Sequence, residues 1–182
     1  MLSFVSTNKD KINMAKRELD TFGIRFKPVK IDLIEIQSES ARTIAIDKAE
    51  SAYKIVRKPL IISDHVWEFP ALNNFPGPYM KYMNIWLKSE DFLNLLRPYT
   101  DKRLIFKENL IYKDKDILKI FSYKSEGKAL SKPQGKGLPA MRIVSFLPDG
   151  KSVAQCLGEN IRFAKNYSIW ERFAKWYLKK SS

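Results

Sequence analysis

Three places along the chain carry side chains that could do chemistry: the turn Ser6-Thr7-Asn8-Lys9-Asp10-Lys11, Glu35, and Asp64. The turn separates an apolar stretch from a run of helical period. It offers backbone N–H groups at a helix N-terminus, hydroxyl and amide groups, and the ammonium groups of Lys9 and Lys11, a set suited to phosphate oxygens. It lacks the glycines of a Walker loop or a dinucleotide fingerprint, so from spacing alone helix capping is the stronger reading. Glu35 and Asp64 stand just after or between apolar elements, where an unpaired carboxylate is costly. A hard cation such as Mg2+ takes one or two carboxylates together with waters and phosphate oxygens, so these acids could hold a metal over a phosphate chain. An Asp beside that metal could also draw a proton from an attacking water. The competing reading makes Asp64 a turn or cap residue and Glu35 a solvated loop acid. His65, with no second His or Cys near it, reads as a hydrogen-bonded structural residue before a ligand or base. Cys156 reads as a half-buried small hydrophobe.

These groups need elements to position them. Leu2, Phe4 and Val5 form a first strand, and the periodic positions Ile12, Met14, Ala15, Leu19 and Phe22, closed by Gly23, predict a helix. Residues 25–31 predict a second strand, DLIEIQSES a connection, and residues 41–56 an Ala-rich second helix. The apolar PLIIS then predicts a buried strand with Asp64 at its end, followed by a turn at Pro76, Gly77 and Pro78. Strand and helix in alternation imply a parallel or mixed sheet with helices on its faces, and in such sheets ligands lie beyond the carboxyl ends of the strands. Ser6 to Lys11 and Asp64 are therefore expected at one cleft. MKYMNIWLKSEDFLNLLRPY is helical in period with a break near Ser89, and residues 103–131 predict an antiparallel hairpin turning at Lys113 to Asp116. RIVSFLP predicts a strand, and residues 168–178 an aromatic final helix.

With 182 residues and 45% hydrophobic content, the sequence supports one domain of two packed lobes, the second at roughly residues 100–150. No apolar run approaches the length of a membrane span, and Met1 leads directly into a strand-like segment, so a cytoplasmic protein is expected. The formal charge of +13 points to an anionic partner, nucleotide, nucleic acid or acidic protein. The basic residues are scattered, and a proteome-wide lysine habit explains the charge equally well.

FVSTNKDK, then IDLIEIQ, IAIDKAESAY, an acid on the third strand, ALNNFPGPYMKYM, FLPDG, and KN before a final helix together resemble the inosine triphosphate pyrophosphatase family over nearly the whole chain. The resemblance implies a mixed α/β fold of two lobes around a cleft, a homodimer, and Mg2+-dependent hydrolysis of nucleoside triphosphates, deaminated purines favoured, to monophosphate and pyrophosphate. By position it implies phosphate binding by Ser6, Asn8, Lys11 and Lys48, metal binding by Glu35 and Asp64, water activation by Asp64, and an approach of Lys165 to the base.

The sequence also departs from that family. Its two adjacent acids, Ser or Thr, and Gly are here Ser63, Asp64, His65 and Val66, and an acid of the first helix is Met14. Its Pro-Arg-Gly is Pro133, Gln134 and Gly135, its Phe-Gly-Trp-Asp falls on Ala140 to Ile143, and its Ser-His-Arg aligns with Ile169, Trp170 and Glu171. Loss of polar base contacts predicts altered base recognition, with Trp67, Trp170 or Arg172 as substitute contacts. Two alternatives stay open: a catalytically degenerate relative that binds a nucleotide or other phosphorylated ligand, and a basic nucleic-acid-binding protein using Trp170, Phe173, Trp176 and Tyr177 with Lys175, Lys179 and Lys180. The last is disfavoured, because aromatics at helical spacing are usually core.

Overall fold

A computed structural model describes residues 1–164 and 167–181. Its elements in chain order are β1 (Leu2–Val5), α1 (Lys9–Asp20), β2 (Phe26–Val29), α2 (Ala41–Val56), β3 (Leu60–Phe69), β4 (Phe75–Gly77), α3 (Met80–Trp86), α4 (Ser89–Leu96), β5 (Arg103–Lys113), β6 (Leu118–Ala129), β7 (Val144–Ser145), α5 (Val153–Gly158) and α6 (Ile169–Ser181). The strands make a mixed seven-stranded sheet in the order β2-β1-β3-β5-β6-β7, with β4 paired to β3. The predicted α/β class holds.

The chain divides into two compact units. The first comprises Met1–Asp64, Glu108–Tyr123 and Ser168–Ser182. Here β1 pairs in parallel with β2 (Leu2 opposite Phe26) and with β3 (Ser3 opposite Leu60), and every residue of β1 is buried. β1 is buried on both faces, its one polar residue, Ser3, included. Val5, Leu60 and Ile62 pack against Ala52 of α2, and Ile111 against Ala45 and Ala49. The small Ala side chains at spacings of three and four let α2 lie close to the sheet. On the other face Phe4 meets Trp170 edge to face, ring centroids 5.8 Å apart, and Tyr112 meets Trp176 at 5.0 Å. Helix α1 packs beside α6.

The second unit comprises His65–Lys107 and Lys124–Tyr167. Trp67, Phe106, Phe146 and Phe163 make an aromatic cluster in it. Ser152 caps α5 by accepting from Gln155 N at 3.1 Å while Gln155 Oε1 accepts from Ser152 N, a reciprocal box. The strand predicted in RIVSFLP shrinks to the two residues of β7, because a 3-10 turn at Ala140–Arg142 occupies the residues just before it.

Asp64 departs from its expected place at the end of a strand, because β3 continues through it to Phe69. Pairing with β1 covers Leu60 and Ile61, and pairing with the antiparallel β4 takes over at Trp67 to Phe69. The Pro-Gly turn is thus the return of a hairpin onto β3, and buried Val66, Trp67 and Phe69 carry the strand onward. Asp64 lies mid-strand, where β3 changes partner.

Candidate active site

The turn after β1 is built by its own side chains. Asn8 Oδ1 accepts from the backbone N–H of Asp10 (2.8 Å) and Lys11 (3.3 Å), and Ser6 Oγ accepts from Asn8 N (3.2 Å). Ser6 and Asn8 therefore cap α1, which satisfies orphan N–H groups and fixes the first helical turn. That turn aims Lys11 at β3: its Nζ donates to the Ser63 carbonyl at 3.0 Å and lies 3.9 Å from Asp64 Oδ1. The acceptor between the two pairing stretches of β3 is met by a lysine, as a buried carbonyl requires a donor.

Lys48 reaches Asp64 from α2. Its Nζ stands 3.3 Å from Asp64 Oδ1 and 3.0 Å from Glu35 Oε1, so one ammonium bridges two carboxylates. Asp64, Lys11 and Lys48 are mostly buried, while Glu35 is 44% exposed on the connection before α2. Burial works against the charge of both lysines, with opposite net results. For Lys11 it prevails over the attraction of Asp64 and Glu108, and the ammonium is held below its ordinary range. For Lys48 the attraction of Asp64 and the bond to Glu35 outweigh burial and raise it.

The structure thus brings Lys11, Lys48, Glu35 and Asp64 together, with the Ser6–Asn8 turn at the base of Lys11. The base-side candidates are elsewhere. Trp170 is 1% exposed against Phe4, and Phe173 is also buried, so neither offers an exposed stacking face. The Arg172 guanidinium donates to the Ser122 carbonyl. Trp67, 3% exposed, packs among Phe106 and Phe146 in the second unit, its indole N–H without a hydrogen-bond partner among the described residues. Half-buried His65 lies against Phe106, ring centroids 5.6 Å apart. Lys165 falls outside the described residues.

Sequence reasoning missed Glu108. It is 1% exposed in β5, and its Oε1 accepts from Ser63 Oγ at 2.5 Å. The signal was present: Lys107-Glu108-Asn109 is a polar triplet inside the otherwise apolar run LIF…LIY. Each member finds a partner, Lys107 with Glu68 at 2.6 Å and Asn109 with Ser122 at 2.7 Å.

Among the described residues no three His, Cys, Asp or Glu side chains gather as a cage for a metal. Two carboxylates sharing one ammonium are instead the donor set of a hard cation that keeps its waters and takes substrate oxygens. Electrostatics favour the same fit. The two ammonium groups are already matched by Asp64 and Glu35, so a polyphosphate entering the cluster gains attraction from a cation beside it.

A family model described as the Ham1 family matches residues 2–140. Among curated proteins the chain is 30% identical over 179 residues to a dITP/XTP pyrophosphatase of Methanopyrus kandleri, covering 96% of this chain and 94% of that one. It is 28% identical over 177 residues to a dITP/XTP pyrophosphatase of Saccharolobus solfataricus, covering 96% and 92%. The solved structure of the Staphylococcus aureus Ham1 protein superposes with a TM-score of 0.77 at 23% identity, covering all of both chains, a likeness of fold.

Proposed function

The chain belongs to the Ham1 family, and we propose that it is a Mg2+-dependent nucleoside triphosphate pyrophosphatase, releasing monophosphate and pyrophosphate. The observation that carries this reading is Lys48 bridging Asp64 and Glu35 with Lys11 alongside. The names of the archaeal relatives support dITP and XTP as substrates to test first.

Lys11 and Lys48 bind phosphoryl oxygens and stabilise the charge that builds there as the bond between the α and β groups breaks. Ser6 and Asn8 act with them, holding the turn from which Lys11 projects. Asp64 takes a proton from the attacking water, and the two lysines on either side of it hold its carboxylate in place. Glu35 and Asp64 would hold the metal, which when bound supplies positive charge against the polyphosphate and lowers the pKa of a coordinated water. Partly exposed Glu35 is the carboxylate able to turn from Lys48 toward an incoming ion.

Base preference is altered, because residues 140–143 and 169–171 do not carry the Phe-Gly-Trp-Asp and Ser-His-Arg with which the family reads a deaminated purine. Ala140, Ile143, Ile169 and Trp170 are buried as core. The protein works as a homodimer in the cytoplasm; the exposed Tyr82, Ile85 and Trp86 of α3 supply an apolar face, and among the described residues no helix is long and apolar enough to cross a membrane.

The test is pyrophosphate release from dITP, XTP, ITP and the common triphosphates with Mg2+, wild type beside Asp64→Asn. We expect turnover on at least one substrate, and a loss of about 100- to 10,000-fold in the variant, as removal of a general base gives. Nucleotide-induced thermal stabilisation without turnover across the panel would replace this reading with that of a binder, which the Val66 and Ser63 substitutions favour.

A further inference from the structure

Glu108 is unused by the mechanism above, yet a carboxylate this deep in a strand persists only if something compensates its charge. Two partners do so. Ser63 Oγ donates to it at 2.5 Å, and Lys11, whose Nζ holds the Ser63 carbonyl at 3.0 Å, lies within its electrostatic reach. The sheet's geometry explains how these residues meet without Asp64. Side chains alternate along β3. Leu60 and Ile62 face Ala52 of α2, so Asp64 shares their face and meets Lys48, whereas Ser63 points to the opposite face. On neighbouring β5, Ile111 faces α2, so Glu108 lies on the face away from α2 with Ser63. Lys11, projecting from α1, is thus drawn from both faces: by Asp64 on one and by Glu108, through Ser63, on the other.

We propose that Glu108 is a positioning residue for Lys11: with Ser63 it anchors the ammonium beside the Ser63 carbonyl and so fixes where Lys11 meets the substrate's phosphate. The phosphate part rests on the pyrophosphatase reading; the pairing of Lys11 with Glu108 does not. Because the Ser63 and Glu108 side chains fill one shared space, exchanging them (Ser63→Glu with Glu108→Ser) keeps both a hydroxyl and a carboxylate there.

The experiment has two arms. In the resting protein, urea midpoints are measured for Lys11→Met, Glu108→Gln and the double variant. Lys11→Met should lower the midpoint in the wild-type background, where it removes a cation from the neighbourhood of a buried carboxylate. In the Glu108→Gln background, where a neutral amide replaces that carboxylate, it should lower the midpoint less or not at all; additive shifts would overturn the pairing. In kinetics, Glu108→Gln should raise KM for the triphosphate about tenfold with a smaller change in kcat, the loss of one charge-assisted contact. The exchanged pair should recover most of that loss, a rescue that a general packing defect would not show. An unchanged KM in a folded Glu108→Gln, or an exchanged pair no better than it, would overturn the positioning role. If wild type turns over no triphosphate, the hydrolase reading falls by itself, and calorimetry with inorganic pyrophosphate decides: weaker binding to Glu108→Gln supports positioning, equal binding overturns it.

Discussion

Lys48 is the residue on which the proposed chemistry converges, because one ammonium serves two acids. Its removal leaves Asp64 and Glu35 without their shared cation. Lys48→Met is expected to raise KM for the triphosphate about ten- to a hundredfold at fixed Mg2+, the worth of a hydrogen bond to a charged group, as read by initial rates. The sequence made this cluster legible only in part. Ser6 to Lys11 and Asp64 could be placed near one another from strand-helix alternation alone, but nothing in the spacing joins Lys48 to Glu35. That link came from the resemblance. Glu108 escaped because its strand was read as an alternating hairpin, where a charged residue simply faces water. The β5 strand is buried on both faces along most of its length, so its one buried acid required a partner the sequence did not announce.

Elements show where such reasoning holds and where it slips. The bounds of α2 follow from local signals, Ser40 Oγ accepting from Thr43 N at one end and left-handed Arg57 (φ 49°) at the other. The end of β3 does not, since an acid after an apolar run looks like a stop when the strand is in fact exchanging one partner for another. Two close contacts make the element scale testable. At Gly127 of β6 an added Cβ would lie 2.5 Å from the Ser145 carbonyl oxygen and 2.7 Å from the Phe146 ring. Gly127→Ala should therefore cost about 1–3 kcal/mol, seen as a lower urea midpoint with an unchanged slope. The end of α6 is tied to the β5–β6 turn by Lys180 Nζ, 2.7 Å from Asp114 Oδ2, while Asp114 also accepts from Tyr112 Oη (2.7 Å) and Ile117 N (2.7 Å). Burial of Asp114 opposes its charge, but the bonds from Lys180, Tyr112 and the backbone prevail and hold the carboxyl well below its usual range. Burial and the bond to Asp114 push the Tyr112 phenol up to about 12. Because the folded Asp114 binds its proton less readily than the unfolded one, its contribution is present above the unfolded value, about pH 4, and is lost as pH falls through the folded one. Lys180 is raised by the same bonds, so its share is present below about pH 10.4 and fades as pH rises toward its folded value. Asp114→Asn should thus be less stable than wild type by about 2 kcal/mol at pH 7, with the gap narrowing as pH falls below 4.

At the scale of the whole molecule the charge divides in two. The proposed site pairs two lysines with two acids, whereas the chain carries +13. The attraction of a polyphosphate from a distance is then the work of scattered surface lysines, and its grip at the end is the work of Lys11, Lys48 and the metal. These contributions respond differently to salt. A field spread over the surface is screened beyond about 8 Å at physiological ionic strength, while contacts within a mostly buried cluster are screened far less. With Mg2+ held constant, raising KCl from about 0.02 to 0.3 M should lower kcat/KM severalfold and leave kcat within about twofold, because encounter is slowed and the bound geometry is not. A kcat/KM that ignores salt would make the +13 a compositional habit with no part in capture. A kcat that falls in parallel would mean that the lysines beside Asp64 are themselves open to solvent, against their burial, and would count against the site as drawn.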